Sequence, residues 1–110
     1  MPTRIEKDAQ VVTILDGAKS AVAGDWFLVP PRTSRRAVQG SVTGSGLVTA
    51  TIAIEGSNDG ANALLLGTIM LNGATPQSDG LLIDAPWAYV RARVVSVSGT
   101  NATVSSQLGF

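Results

Sequence analysis

"IAIEGSNDGAN", residues 52–62, breaks an alternating apolar run with Gly-Ser-Asn-Asp-Gly, and a second apolar run, "ALLLGTIML" (63–71), starts almost at once. Upstream, "LVTATIAIE" (47–55) sends Val48, Ala50, Ile52 and Ile54 to one side and Thr49, Thr51 and Glu55 to the other. A period of two marks a half-buried antiparallel strand. The downstream run is apolar on both faces, but central Gly67 and Thr68 and the turn residues at its ends favour a buried strand over a helix. The pentapeptide between the runs has three readings. A phosphate cradle must open into a helix whose N-terminus faces the anion, and here a strand follows. An EF-hand needs spaced acidic ligands closed by a glutamate, which this sequence lacks; a looser calcium site would have to draw on Glu55 and Asp59. A hairpin asks only that Asn58 and Asp59 take turn conformations and that Gly60 take a positive φ. The hairpin reading is preferred, and it makes Gly56, Asn58, Asp59 and Gly60 structural turn residues.

Outward from that turn, the segments "AQVVTIL" (9–15), "WFLV" (26–29), "RAVQGSVT" (36–43), "LLID" (81–84), "WAYVRARVVSV" (87–97) and "ATVSSQLGF" (102–110) read as further strands. Pro30-Pro31, "GSG" (44–46), Asp84-Ala85-Pro86 and "SGTN" (98–101) punctuate them, and residues 18–25 and 72–80 read as loops. Eight strand candidates and no helix predict an all-β fold. An antiparallel, jelly-roll-like β-sandwich of about eight strands fits best. Residues 1–8, with Pro2 and four charged side chains, are expected to form a flexible, extended N-terminal arm, and 9–110 a single β-sandwich domain.

Composition narrows the chemistry. Of 110 residues, 45% are apolar and only 15% charged, against about 25% in soluble domains. So weakly charged a surface suggests cover by partners. Lys plus Arg and Asp plus Glu both number 8, so no net field draws the chain to nucleic acid or to an anionic membrane. No apolar run approaches a bilayer span, and the polar N-terminus "MPTRIEKDAQ" has no apolar core of a signal peptide. Without cysteine or histidine there is no disulfide, no Ser-His-Asp or Cys-His nucleophile and no histidine-ligated zinc. Asp79 and Asp84 flank one short strand, and Asp16 and Asp25 one loop, in ordinary turn or cap positions. Neither an enzyme, a cofactor nor a metal is expected.

Binding is the better prospect. "PPRTSRR" places Arg32, Arg35 and Arg36 in one loop, where arginine forks suit an acidic protein partner. Trp26 and Trp87 each open a strand, and with Tyr89 they are the only real candidates for a sugar platform. Arg91 and Arg93 share a face with Trp87 and Tyr89; they should emerge at a sheet rim or pair with acids of a neighbouring subunit.

The series "IEGSNDG", "LGTI", "DAPWAYVRA" and "VSGT", in this order from about residue 12 to the end, resembles small virion proteins of tailed bacteriophages. "GSNDG" and "YVRARV" are also similar to discoidin-like and carbohydrate-binding jelly rolls. Related chains often carry a tryptophan just after the Asn-Asp-Gly turn, where Ala63 and Leu64 stand here, and this departure weighs against sugar binding. The resemblance implies a capsid or tail component. Within it, the expectation is a decoration (cement) protein on the outer capsid surface, made in the host bacterial cytoplasm. Its partners would be the major capsid protein and copies of itself, as a trimer. Contacts are expected from Arg4, Ile5, Glu6 and Lys7 of the arm and from Arg32, Arg35 and Arg36. A head–tail connector or tail part and a carbohydrate-binding module are the alternatives.

Overall fold

The computed structural model describes residues 11–29, 36–74, 77–83 and 87–110. The expected arm with Arg4, Ile5, Glu6 and Lys7, the loop arginines Arg32 and Arg35, and Asp84 lie outside the described residues. The described chain is all-β: β1 (Val11–Ala18), β2 (Phe27–Leu28), β3 (Arg36–Ser57), β4 (Leu64–Ala74), β5 (Gln77–Ile83) and β6 (Tyr89–Gly109). Every strand pairing is antiparallel. The order across the sheet is β1-β6-β3-β4, with β2 on β6 and β5 on β3.

Six strands form where eight were expected, because two of the expected turns do not reverse the chain. Residues 44–46 lie inside β3 and 98–101 inside β6, and Ser45 pairs with Thr100 across the ladder between them. Gly46, Gly99 and Asn101 take positive φ there (72°, 123° and 56°), and the register shifts on both sides. Gly-Ser-Gly and Ser-Gly-Thr-Asn suit tight turns in isolation. Set opposite each other on two paired strands, they act as bulges that bend both strands at one place. Of the segment 72–80, expected as a loop, residues 72–74 belong to β4 and 77–80 to β5, with Ala74 paired to Leu47 on one side of the bend and Gln77 to Val42 on the other.

The fourth crossing is made by β1 and β2, which follow β6 through Ala18↔Val104, the isolated bridge Ala23↔Arg93 and Phe27↔Val90. The sheet is thereby divided into two halves, β5-β3-β6-β1 and β4-β3-β6-β2, joined through continuous strands. The halves fold toward each other. A Cβ built on Gly40, in the first half, would lie 2.6 Å from Cδ1 of Ile52, in the second. Val38 and Val42 from one half and Ile52, Ile54 and Val94 from the other join one buried cluster with Val104 and Leu108. The alternation read in 47–55 delivers this core: Val48, Ala50, Ile52 and Ile54 are all buried. Burial of each such Ile or Val side chain contributes about 1.5–3 kcal/mol.

Candidate functional site

The turn between β3 and β4 is built around one hydroxyl and one carboxylate. Ser57 Oγ donates to Asp59 Oδ1 at 2.7 Å and accepts from the backbone N–H of Gly60 at 3.0 Å. Asp59 Oδ1 also accepts from the N–H groups of Ala61 and Asn62, each at 2.9 Å, and Oδ2 from Asn62 Nδ2 at 2.6 Å. The backbone hydrogen bonds from Asn62 and Ala61, then those from the Ser57 and Asn62 side chains, hold the Asp59 carboxyl far below the usual carboxylate range. Gly60 takes φ +71°, with the Tyr89 ring 3.6 Å from where a Cβ would stand. Asn58 Oδ1 accepts from Ala88 N at 3.3 Å, which ties the turn to the start of β6. Gly56 does not turn. It lies in β3, and a Cβ there would come within 2.9 Å of the Trp87 ring, so this position makes room for packing.

Beside the turn, β3 and β6 set a charged cluster on the outward face. Glu55 pairs with Arg91 in the ladder and Ala53 with Arg93. Arg91 Nε donates to Glu55 Oε1 at 2.8 Å, and Arg93 Nε to Oε2 at 3.1 Å. The Arg91 guanidinium also stacks over Trp26, its Cζ 4.4 Å from the ring centroid. Trp26 in turn meets Tyr89 edge to face at 6.5 Å. Burial pushes the Glu55 carboxyl up, but the hydrogen bonds and charges of Arg91 and Arg93 outweigh it, and the net shift is downward. The two arginines, expected at a rim or on a neighbour's acids, share an acid of their own chain and remain partly exposed, Arg93 more than Arg91. Glu55 is committed to them, and Asp59 to its own turn. Among the described residues no group of three or more Asp, Glu, His or Cys could hold a metal ion.

The other expected residues scatter. Arg36, grouped by sequence with the loop arginines as an interface contact, is the first residue of β3 and only 1% exposed. Its Nη1 donates to the carbonyl of Trp87, and burial pushes its guanidinium below the usual arginine value. As placed, it braces β3 against the start of β6 and does not present a surface contact. The missed signal is parity: Arg36 lies in step with Val38 and Val42, both inward. The aromatic residues do not form a flat sugar platform. Trp26 and Tyr89 stand 72° apart, Arg91 covers a face of Trp26, and Trp87 backs onto Gly56. Asp16 and Asp25 line one cleft of about 210 Å³ with Trp26 and Phe27. Asp79 Oδ1 accepts from Gly80 N at 2.8 Å. An apolar groove of about 500 Å³ crosses the outer face of the first half, floored by Ala37, Gly80 and Gly109 and walled by Val11 and Leu82.

No protein-family model matches the chain, and no curated protein matches its sequence. Among solved structures, it is similar to the SPBc2 prophage-derived protein YomS, with a TM-score of 0.58 and 18% identity over 94% of each chain. A chain from the disulfide-linked pili that form Bacillus endospore appendages aligns with a TM-score of 0.34 and 16% identity, over 99% of this chain and 92% of that one. At such identity the likeness to YomS is one of fold: the bent all-β sheet described above is shared along nearly the full length of both chains.

Proposed function

We propose that this chain is a structural protein of a tailed phage particle, a decoration (cement) protein that grips the outer capsid surface. The observation that carries the reading is the shared fold with a prophage-derived protein over 94% of both chains. It agrees with the resemblance of the sequence to small phage virion proteins. The finer fold reading belongs to the same proposal. Cut at the bend, the four crossing runs give eight segments, and their order in the two halves supports a jelly-roll sandwich. The surface is suited to being covered. Leu65 and Met70 stand 64% and 72% exposed on β4, an open strand edge that invites a partner, and Leu47 on the adjoining β3 is 74% exposed.

The chain does no bond chemistry in this reading. It lies across junctions between capsid subunits, adds contacts that rupture must break, and gains strength from repetition over the shell. The major capsid protein is its partner, a trimer on a local three-fold axis its natural form, and the particle surface its place. A second reading, a ring in the connector or tail, is favoured by one feature. β5 and β1 end one half on opposite sides, and β4 and β2 the other, so copies could continue a half head to tail into a closed ring. Copy number in purified particles separates the two. Quantitative mass spectrometry against the major capsid protein should give a simple fraction of the capsid subunit count. A dozen copies or fewer would transfer the chain to the connector or tail, and absence from particles would end the virion reading.

A further inference from the structure

We propose that Arg91 and Arg93 together form a carboxylate-binding site for an acidic segment of a partner protein. The identity of that partner as a neighbour in an assembly rests on the reading above; the chemistry of the site does not. A guanidinium carries five N–H donors in a planar fork. Each of these arginines spends its Nε on Glu55, at 2.8 and 3.1 Å, and among the described residues neither makes a hydrogen bond through its Nη groups. Glu55 is the acid they pair with among the described residues. Its side chain is 10% exposed, whereas those of Arg91 and Arg93 are 23% and 41% exposed, so the acid is the enclosed partner and the arginines are the accessible ones. Stacking on Trp26 fixes Arg91 further. Both forks are thus held before any ligand arrives, which removes much of the ordering cost of binding.

The charge balance selects the ligand. Within the cluster, two arginines and one glutamate leave a single positive charge, and with Asp16 and Asp25 in the cleft beside Trp26 there is room for no more than one added carboxylate. A phosphate dianion would bring excess negative charge next to Glu55, and with equal numbers of acidic and basic residues the chain has no wider field to hold a polyanion. The surroundings select a peptide. Arg93 edges a cleft of about 180 Å³ whose other walls include Val22 and Val95, 46% and 44% exposed, so an acidic side chain would enter with aliphatic contacts beside it.

The test is a titration of the isolated ¹⁵N-labelled protein with a hexaglutamate peptide, followed through the Nε–H signals of Arg91 and Arg93 and the indole N–H of Trp26. Saturable shifts at all three are expected. Arg93→Lys keeps the charge and loses the fork, and should bind at least tenfold more weakly. Lys19→Ala, at an exposed lysine, should bind within twofold of the parent. The wild-type signals are read without any variant, so the result stands even if Arg93→Lys fails to fold. Unmoved arginine signals, an equal loss in Lys19→Ala, or tighter binding of inorganic phosphate or a short single-stranded DNA would overturn the site. Binding by a chain that is absent from particles would leave the site standing and sink the virion reading. A flat titration of a chain abundant on particles would do the reverse.

Discussion

Glu55 is a carboxylate only 7% exposed on a strand face that alternation alone would assign to solvent. It is tolerated there because Arg91 and Arg93 close both of its oxygens. Its folded-state pKa lies below the unfolded value, so its contribution is fully present above the ordinary carboxylate range and is lost as pH falls through the lowered value. Glu55→Gln should therefore cost on the order of 1–2 kcal/mol near neutral pH. The gap between mutant and parent should narrow as pH drops below about 4. Thermal melts of both proteins from pH 7 to pH 3 would check this; a gap independent of pH would mean that the ion pairs contribute nothing. Part of this cluster was legible in the sequence, since Tyr89, Arg91 and Arg93 occupy alternate positions of one strand. Its anchor was not. Glu55 lies 36 residues from Arg91 and 38 from Arg93, and only the strand register makes them neighbours.

Two glycines at the bend separate space from conformation. A Cβ on Gly44 would lie 2.7 Å from the carbonyl oxygen of Thr100 and 3.2 Å from the Cα of Ala102, so the backbone of β6 would have to move. A Cβ on Gly46 would meet nothing within 4 Å, but the residue takes φ +72°. Gly44→Ala is expected to cost about 1–3 kcal/mol through overpacking. Gly46→Ala should cost about 1 kcal/mol through its left-handed backbone, most of it recovered in Gly46→Asn, because asparagine tolerates that region. Urea midpoints for the substitutions decide the matter, and recovery by asparagine at both positions would contradict a steric role for Gly44. These residues also explain why strand positions were legible and strand count was not. Apolar alternation located the runs on either side of 44–46 and 98–101 correctly. Turn chemistry is local, however, and the same glycines reverse a chain or bend it according to what pairs across from them. The hairpin at Ser57–Leu64 was legible because β3 and β4 are consecutive and need no distant partner to declare the reversal.

In the whole molecule, β3 and β6 belong to both halves, so neither half can be lost without the other. A defect at the centre should be felt throughout: Ile52→Ala is expected to cost about 2–5 kcal/mol. It should lower hydrogen-exchange protection equally on both sides of the bend, and a loss confined to one half would show that the halves open independently. The same shared ladder has a consequence for biosynthesis. Ala37 pairs with Gly109 and Ser57 with Tyr89, so the middle of the sheet waits for β6 to leave the ribosome. Until then β3 has β4 and β5 on one side and an open edge along its whole length on the other. Long-range pairing of this kind closes in milliseconds to seconds, and an open apolar edge in crowded company pairs with whatever strand is nearest. During rapid synthesis, when many identical nascent chains share one cell, the hazard peaks just before Tyr89–Gly109 emerges, and yield is set by how fast that strand reaches its slot.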